Sequence, residues 1–341
     1  MNNKSKILVI GSNSFSGSHF VANALEGGHY VWGVSRSPEI NTIFLPYLWP
    51  KVVSNECLAR PENYSFQVID LNKDLNELLE LIDHVQPEII VNFAAQGMVA
   101  ESWANPTHWY RTNVVAQVAL HDELRQKSFL KKYVHVTTPE VYGSTNENWI
   151  KESINFSPST PYAVSRAACD LHLLSFHEAY GFPVVFTRAA NVYGPGQQLY
   201  RIIPRTLLSA RTGKPMQLHG NGESVRAFIH ISDVVRATLT LALEGEPGSS
   251  WHLSSRESYS IKQLVEMMCT LTNSSFKDFV ESSDERLGKD QSYLLDSSAM
   301  RQVHNWTDQV SLQQGLEETL SWVDSNLEIL KSLPWNYQHK S

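Results

Sequence analysis

The run Lys6-Ile7-Leu8-Val9-Ile10-Gly11-Ser12-Asn13-Ser14-Phe15-Ser16-Gly17 decides how this chain folds. A short, mostly apolar run ending at a glycine suits a central parallel strand, which is buried on both faces and so shows no polar alternation. The stretch from Ser18 to Leu25 that follows is amphipathic and is closed by Gly27-Gly28. Strand, glycine-containing turn and helix form the context in which a glycine-rich fingerprint holds a dinucleotide. Gly11 permits the tight turn, Gly17 permits close packing of helix on strand, and the N–H groups at the helix start face a pyrophosphate. Ser14 stands where the fingerprint has its middle glycine. The candidate cofactor contacts in this segment are Gly11, Ser14, Phe15, Ser16 and Gly17.

Working outward, Tyr30-Val31-Trp32-Gly33-Val34 reads as a second strand and ends in Ser35-Arg36-Ser37. A site that prefers NAD places an acid here for the ribose 2′-OH, whereas an arginine accommodates a 2′-phosphate. Arg36 therefore points to NADP, with NAD as the alternative. After an irregular connection over residues 38–65, Phe66 to Leu71 reads as a third strand, with Asp70 and Leu71 at its carboxyl end. A helix from Leu75 to His84 leads to the strand Glu88 to Ala95, whose small residues Ala94 and Ala95 let a cofactor lie against the backbone. This alternation predicts an α/β fold, a doubly wound parallel Rossmann sheet with right-handed crossovers and ligands at the carboxyl ends of its strands.

A long helix is expected from Trp109 to Gln126, then a strand from Lys132 to Thr137 that opens into Thr138-Pro139-Glu140-Val141-Tyr142-Gly143. Thr160 is a helix N-cap and Pro161 suits the first helical position, which puts Tyr162 in the first turn and Arg166 on the same face one turn later. That helix stops at Gly181, and Pro183 to Arg188 is the next strand. Beyond it the strands shorten (Met216 to Leu218, Phe228 to His230, Ser250 to Leu253) and helices carry more of the sequence. The expected division is a dinucleotide-binding domain over 1–188 and a smaller, mostly C-terminal substrate-binding lobe over 189–341, interleaved with the first. Glu281 to Ser298 reads as a surface connection.

A tyrosine and a cation one helical turn apart form an acid/base unit, because a nearby positive charge favours the phenolate. A hydroxyl from a neighbouring strand end shares the hydrogen bond to the substrate oxygen. Thr138, Glu140, Tyr162 and Arg166 are thus the candidate catalytic group, and Tyr162 and Arg166 are also candidate cofactor contacts.

In their order along the chain these segments resemble the extended short-chain dehydrogenase/reductase family, and within it the nucleotide-sugar 4,6-dehydratases and epimerases, in particular the GDP-mannose and dTDP-glucose 4,6-dehydratases. The resemblance runs from Ile7 to about Val323. It rests on Gly11 to Gly17, Asp70-Leu71, Asn92 to Gln96, Thr138 to Gly143, Tyr162 to Arg166, Asn191 to Pro195, and Gly220 to Arg226 followed by His230-Ile231-Ser232-Asp233. It implies a nucleotide-sugar substrate held by Gln96, Asn191 and Arg226, with Glu140 as the base that removes the C5 proton, Thr138 on the substrate oxygen and Tyr162 as acid/base. It implies oxidation at C4, loss of water across C5 and C6, and return of the hydride to C6. It also implies a homodimer paired through helices at 100–126 and 161–180, with Val115, Val118, Leu120, Leu171 and Leu174 in that interface or in the core. Two residues depart from the pattern. Arg166 stands where the family has lysine, and Pro139 stands where dehydratases have Asp or Ser and can move no proton. The alternatives are a C4 epimerase, a decarboxylase, or a non-catalytic protein on the same fold.

Composition bounds these readings. A chain of 341 residues, 42% hydrophobic and 18% charged, buries a large core. A net charge of -7 argues against a nucleic-acid partner. Cys57, Cys169 and Cys269 lack metal or disulfide spacing, and the 13 histidines show no metal-binding pattern. No apolar run reaches the roughly 20 residues of a membrane span, and no signal-peptide pattern precedes the first strand, so a cytoplasmic protein with reduced thiols is expected.

Overall fold

Strand β1 (Lys6–Ile10) is buried at every position but Lys6. It pairs in parallel with β2 (Tyr30–Ser35) on one side and β4 (Ile89–Asn92) on the other. In this computed structural model, which describes residues 4–49, 61–145, 148–283 and 292–340, β3 (Tyr64–Val68) adds to β2 in parallel, β5 (Lys132–Val136) to β4 and β6 (Val184–Ala189) to β5. β7 (Ser250–Leu253) completes a seven-stranded sheet in the order β3-β2-β1-β4-β5-β6-β7. The winding direction reverses between β1 and β4, which opens a crevice at their carboxyl ends. The expected doubly wound parallel sheet is present.

The chain divides into two compact units. The first comprises Met1–Val141, Glu152–Arg188 and Val235–Trp251. Its sheet is covered by α1 (Phe15–Glu26), α2 (Leu75–Val85), α3 (Pro106–Tyr110), α4 (Ala116–Leu124) and α5 (Pro161–Tyr180). Leu78 and Ile82 of α2, Leu120 and Leu124 of α4, and Cys169 and Leu173 of α5 pack with Leu8, Ile10, Ile90, Tyr133 and Phe186 in one core. Each aliphatic side chain so buried contributes about 1.5–3 kcal/mol. Leu120 is fully buried there, whereas Val115 and Leu171 are exposed.

The second unit comprises Tyr142–Lys151, Ala189–Val234 and His252–Ser341. In it, Val225–Arg226 pairs antiparallel with Tyr259–Ser260 and parallel with Ser292–Leu295, which in turn pairs with Trp149–Ile150. Asn191–Tyr193 pairs with Phe228–His230. The helices Ile202–Thr212, Ile261–Thr272 and Leu312–Ser325 carry much of the rest.

Three local expectations are corrected. The helix read as continuous from Trp109 to Gln126 is interrupted, because Arg111–Val115 forms a π-helical turn between α3 and α4. Ser250–Leu253, read with the short strands beyond residue 189, joins the large sheet. Ser292–Leu295, inside the stretch read as a surface connection, is a buried strand, since a short apolar run between polar flanks is silent until a sheet takes it up. Cys57 lies outside the described residues. Among the described residues no helix is long and apolar enough to cross a membrane.

Candidate active site

The exit of β1 is shaped by absent side chains. Gly11 has φ +83°, and a Cβ there would lie 2.8 Å from the Ala94 nitrogen. The β1 and β4 exits therefore approach each other more closely than any other residue permits. Ser14 caps α1, its Oγ accepting from Gly17 N at 3.0 Å, and a Cβ on Gly17 would meet the Gly11 carbonyl at 2.2 Å. The first turn of α1 contains no acid, so its leading N–H groups, on Phe15 and Ser16, open onto an electropositive cradle. Backbone alone approaches there, and the shape and field suit the pyrophosphate of a dinucleotide.

At the exit of β2, Ser35 Oγ accepts from Asn13 N at 3.0 Å, and the Asn13 amide donates to the Ser37 carbonyl at 3.0 Å. These bonds fasten the glycine turn to the strand end that carries Arg36. Asp70 and Leu71 stand just past the end of β3. Asp70 Oδ1 accepts from Asn72 N at 3.0 Å, which makes a local turn, and Leu71 is buried. Past β4, Ala94 N donates to Asn92 Oδ1 at 2.9 Å, leading the chain into Ala95 and Gln96.

The other half of the site comes from β5 and α5. Thr138 is buried just past β5, and its Oγ1 accepts from Glu140 N at 3.3 Å. Pro139 begins the 3-10 turn Pro139–Tyr142, which presents Glu140 next to the threonine. Helix α5 starts as its sequence requires: Thr160 Oγ1 accepts from Ala163 N at 3.1 Å, Pro161 fills the first position, and left-handed Gly181 ends the helix. Tyr162, Arg166 and Asp170 follow at helical spacing along one buried face. Arg166 is 2% exposed. Its guanidinium donates to the Val136 carbonyl and lies 3.2 Å from His135 Nε2, so α5 is bonded to the strand that leads to Thr138.

Asn113 was not singled out from sequence as a site residue, yet it joins these pieces. Its Oδ1 accepts from Gln96 N at 2.8 Å, and its Nδ2 donates to Gln96 O at 3.1 Å and to Ser165 Oγ at 2.9 Å. Ser165 Oγ lies 2.7 Å from the Tyr162 carbonyl. The π-helical turn that places Asn113 inward has no sequence signature, although such turns recur at functional sites.

In the second unit, Asn191 and Arg226 are linked by a residue that sequence reading missed. Tyr293 Oη donates to Asn191 Oδ1 at 2.8 Å, and the Arg226 guanidinium lies 4.2 Å over the Tyr293 ring. With its carbonyl engaged, the Asn191 amide keeps its donor end for an anion. Tyr293 escaped notice because its strand had been read as a surface connection.

Comparison with known proteins accords with this geometry. The family described as GDP-mannose 4,6 dehydratase matches residues 8–319. The chain is 31% identical to a dTDP-glucose 4,6-dehydratase of Streptomyces niveus, over 94% of this chain and 93% of that protein. It is 27% identical to a trifunctional Arabidopsis thaliana enzyme named for UDP-glucose 4,6-dehydratase, 3,5-epimerase and reductase activities; 94% of this chain matches 47% of that protein, so the chain spans about half its length. Among solved structures, DesIV of Streptomyces venezuelae, a dTDP-glucose 4,6-dehydratase with NAD and TYD bound, superposes with a TM-score of 0.85 at 28% identity, covering 95% of this chain and 98% of that one.

Proposed function

The chain belongs to the GDP-mannose 4,6 dehydratase family, and we propose that it is a nucleoside-diphosphate-sugar 4,6-dehydratase working with a nicotinamide dinucleotide. The observation that carries this reading is the junction of β5 and α5, where Thr138 and Glu140 follow a strand to which the Tyr162-bearing helix is bonded through Arg166. The cradle at Gly11, Ser14, Phe15, Ser16 and Gly17 would hold the cofactor pyrophosphate, Arg36 and Asp70-Leu71 would flank the adenosine, and Ala94-Ala95 would lie along its path. The chemistry the cofactor supplies when bound is hydride acceptance from sugar C4 and hydride return to C6.

The residues then divide the proton work. Tyr162 takes the C4 hydroxyl proton, with Thr138 bonded to the same oxygen. Glu140 removes the C5 proton, which the neighbouring C4 carbonyl has made acidic. Pro139 has no group to protonate the departing C6 hydroxyl, so Glu140, now a carboxylic acid, hands the proton on and water leaves; Glu140 then takes up a solvent proton and delivers it to C5 as hydride returns to C6. Asn191 and Arg226 hold the diphosphate, with Gln96 contacting the sugar.

The preference we propose is for NADP over NAD. Arg36 follows a β2 exit fastened by Asn13 and Ser35, in the place where an NAD site has an acid. We also propose a homodimer paired through the α3–α4 and α5 segments, where Val115 is 64% exposed, Leu171 49% and Tyr180 58%. A C4 epimerase is the second reading. Pro139 favours it, since epimerisation needs Tyr162 and Thr138 but no acid for a departing C6 hydroxyl.

The deciding experiment incubates the protein with UDP-, GDP-, CDP- and dTDP-hexoses, in turn with NADP and with NAD. A product lighter by one water, carrying deuterium at C5 when formed in D2O, supports the dehydratase. A C4 epimer of unchanged mass establishes the second reading instead, and turnover that survives Glu140→Gln removes Glu140 from its assigned role.

A further inference from the structure

Arg166 stands in a buried cluster drawn from several elements. Among the described residues its hydrogen-bonding partners are both on β5, the Val136 carbonyl and His135 Nε2, and its Nε has none. A guanidinium only donates, so a hydrogen bond from it to His135 uses the lone pair of Nε2 and puts the imidazole proton on Nδ1, a buried atom with no partner among the described residues. Behind this pair Asp170 Oδ2 accepts from Arg188 at 2.7 Å and from Thr137 Oγ1 at 3.0 Å. His135 Nε2 is 3.4 Å from Asp170 Oδ1. Among the described residues His121 of α4, Tyr133 of β5 and Cys169 of α5 also feel Arg166.

Two guanidiniums, Arg166 and Arg188, face one carboxylate, Asp170. Arg166 brings its positive charge into that buried cluster one helical turn from Tyr162. Burial first, and then the Arg166 charge, push the His135 pKa down to about 4, with Asp170 opposing, so the imidazole is neutral at ordinary pH. Both contacts are made by one guanidinium nitrogen, Nη2, which anchors that edge of the group to β5.

We propose that His135 is a positioning residue: with the Val136 carbonyl, its neutral imidazole holds the Arg166 guanidinium against β5, from where that charge acts on Tyr162 without contacting the cofactor. The inference rests on the reading of Tyr162 as the acid/base. It moves Arg166 from the cofactor contacts expected at its position to a strand-anchored source of field.

The test needs no sugar substrate, so it stands or falls apart from the dehydratase assay. Protein labelled with [ζ-13C]tyrosine is titrated by NMR, the Tyr162 resonance being assigned by its loss in Tyr162→Phe. Arg166→Met and His135→Leu each move the Tyr162 titration midpoint to higher pH, and the double variant moves it no further than the larger single effect. His135→Gln, whose amide oxygen also accepts, restores most of the wild-type midpoint. Throughout, NADPH affinity read by its fluorescence stays within about twofold. Should His135→Leu fail to fold, His135→Phe, which keeps a flat ring and loses the acceptor, takes its place, and the midpoint moves up. An unmoved midpoint in His135→Leu or its replacement overturns the proposal. So does a loss of about tenfold in NADPH affinity in Arg166→Met, which would make Arg166 a direct cofactor ligand.

Discussion

Asn113 donates to Ser165 Oγ at 2.9 Å from a side chain that is fully buried. The same side chain brackets the backbone N–H and carbonyl of Gln96, so the exit of β4 and the first turn of α5 are held by one amide. Asn113→Ala removes a buried partner from Gln96 N, Gln96 O and Ser165 Oγ. Leaving buried groups unpaired costs about 1–3 kcal/mol. Urea unfolding should show a loss in that range, and kcat should fall more than KM rises, because the displaced group is the turn bearing Tyr162.

The cradle at β1 tolerates no added carbon. In Gly11→Ala the new Cβ meets the Ala94 nitrogen at 2.8 Å, in a backbone conformation that L-residues rarely adopt. Gly17→Ala drives a Cβ to 2.2 Å from the Gly11 carbonyl. The strained φ alone costs on the order of 1–3 kcal/mol. Both variants should lose cofactor affinity in a fluorescence titration, and Gly17→Ala should also lower the melting temperature by separating α1 from the sheet.

Stability should fall on acidification because of the buried histidines. The folded-state pKa of His135 is about 4 against an ordinary 6.5, and burial lowers that of His121 as well. The unfolded chain therefore binds protons that the native state refuses. The contribution is fully present above about pH 6.5 and is lost as pH falls from there towards about 4, by on the order of 3 kcal/mol for His135. Asp170 behaves differently: burial is the largest single influence and would raise its pKa, but Arg188, His135 and Arg166 together outweigh it and the carboxyl is held low, so its contribution is lost only at still lower pH. Denaturant midpoints measured from pH 8 to pH 4 should be flat and then decline below about 6.5, with a shallower decline in His135→Gln.

Glu140→Gln keeps the shape of the side chain and removes the base. Substrate and cofactor binding should persist, while loss of water slows by about 10²- to 10⁴-fold. Mass spectrometry of the product and the incorporation of solvent deuterium at C5 measure this directly.

The outer faces of the α3–α4 and α5 segments offer a separate test. Leu171→Glu places a charge on a residue that is 49% exposed, so the folded monomer should tolerate it. Sedimentation should show a dimer in the parent and a monomer in the variant.

The sequence by itself determined the parallel sheet and its winding. These depend on local signals: apolar runs bounded by glycine, Thr160 and Pro161 opening a helix, Gly181 closing one. Such signals act within a few residues and survive without tertiary context. Tertiary structure alone decided where the Arg166 guanidinium goes, because its partners His135 and Val136 lie on another element. It also decided that Asn113 turns inward from a π-helical turn and that Tyr293 joins Asn191 to Arg226. The physical reason is shared by all three. A buried polar side chain must satisfy its hydrogen bonds with whatever the fold brings near it, and the partners it finds are distant in the chain.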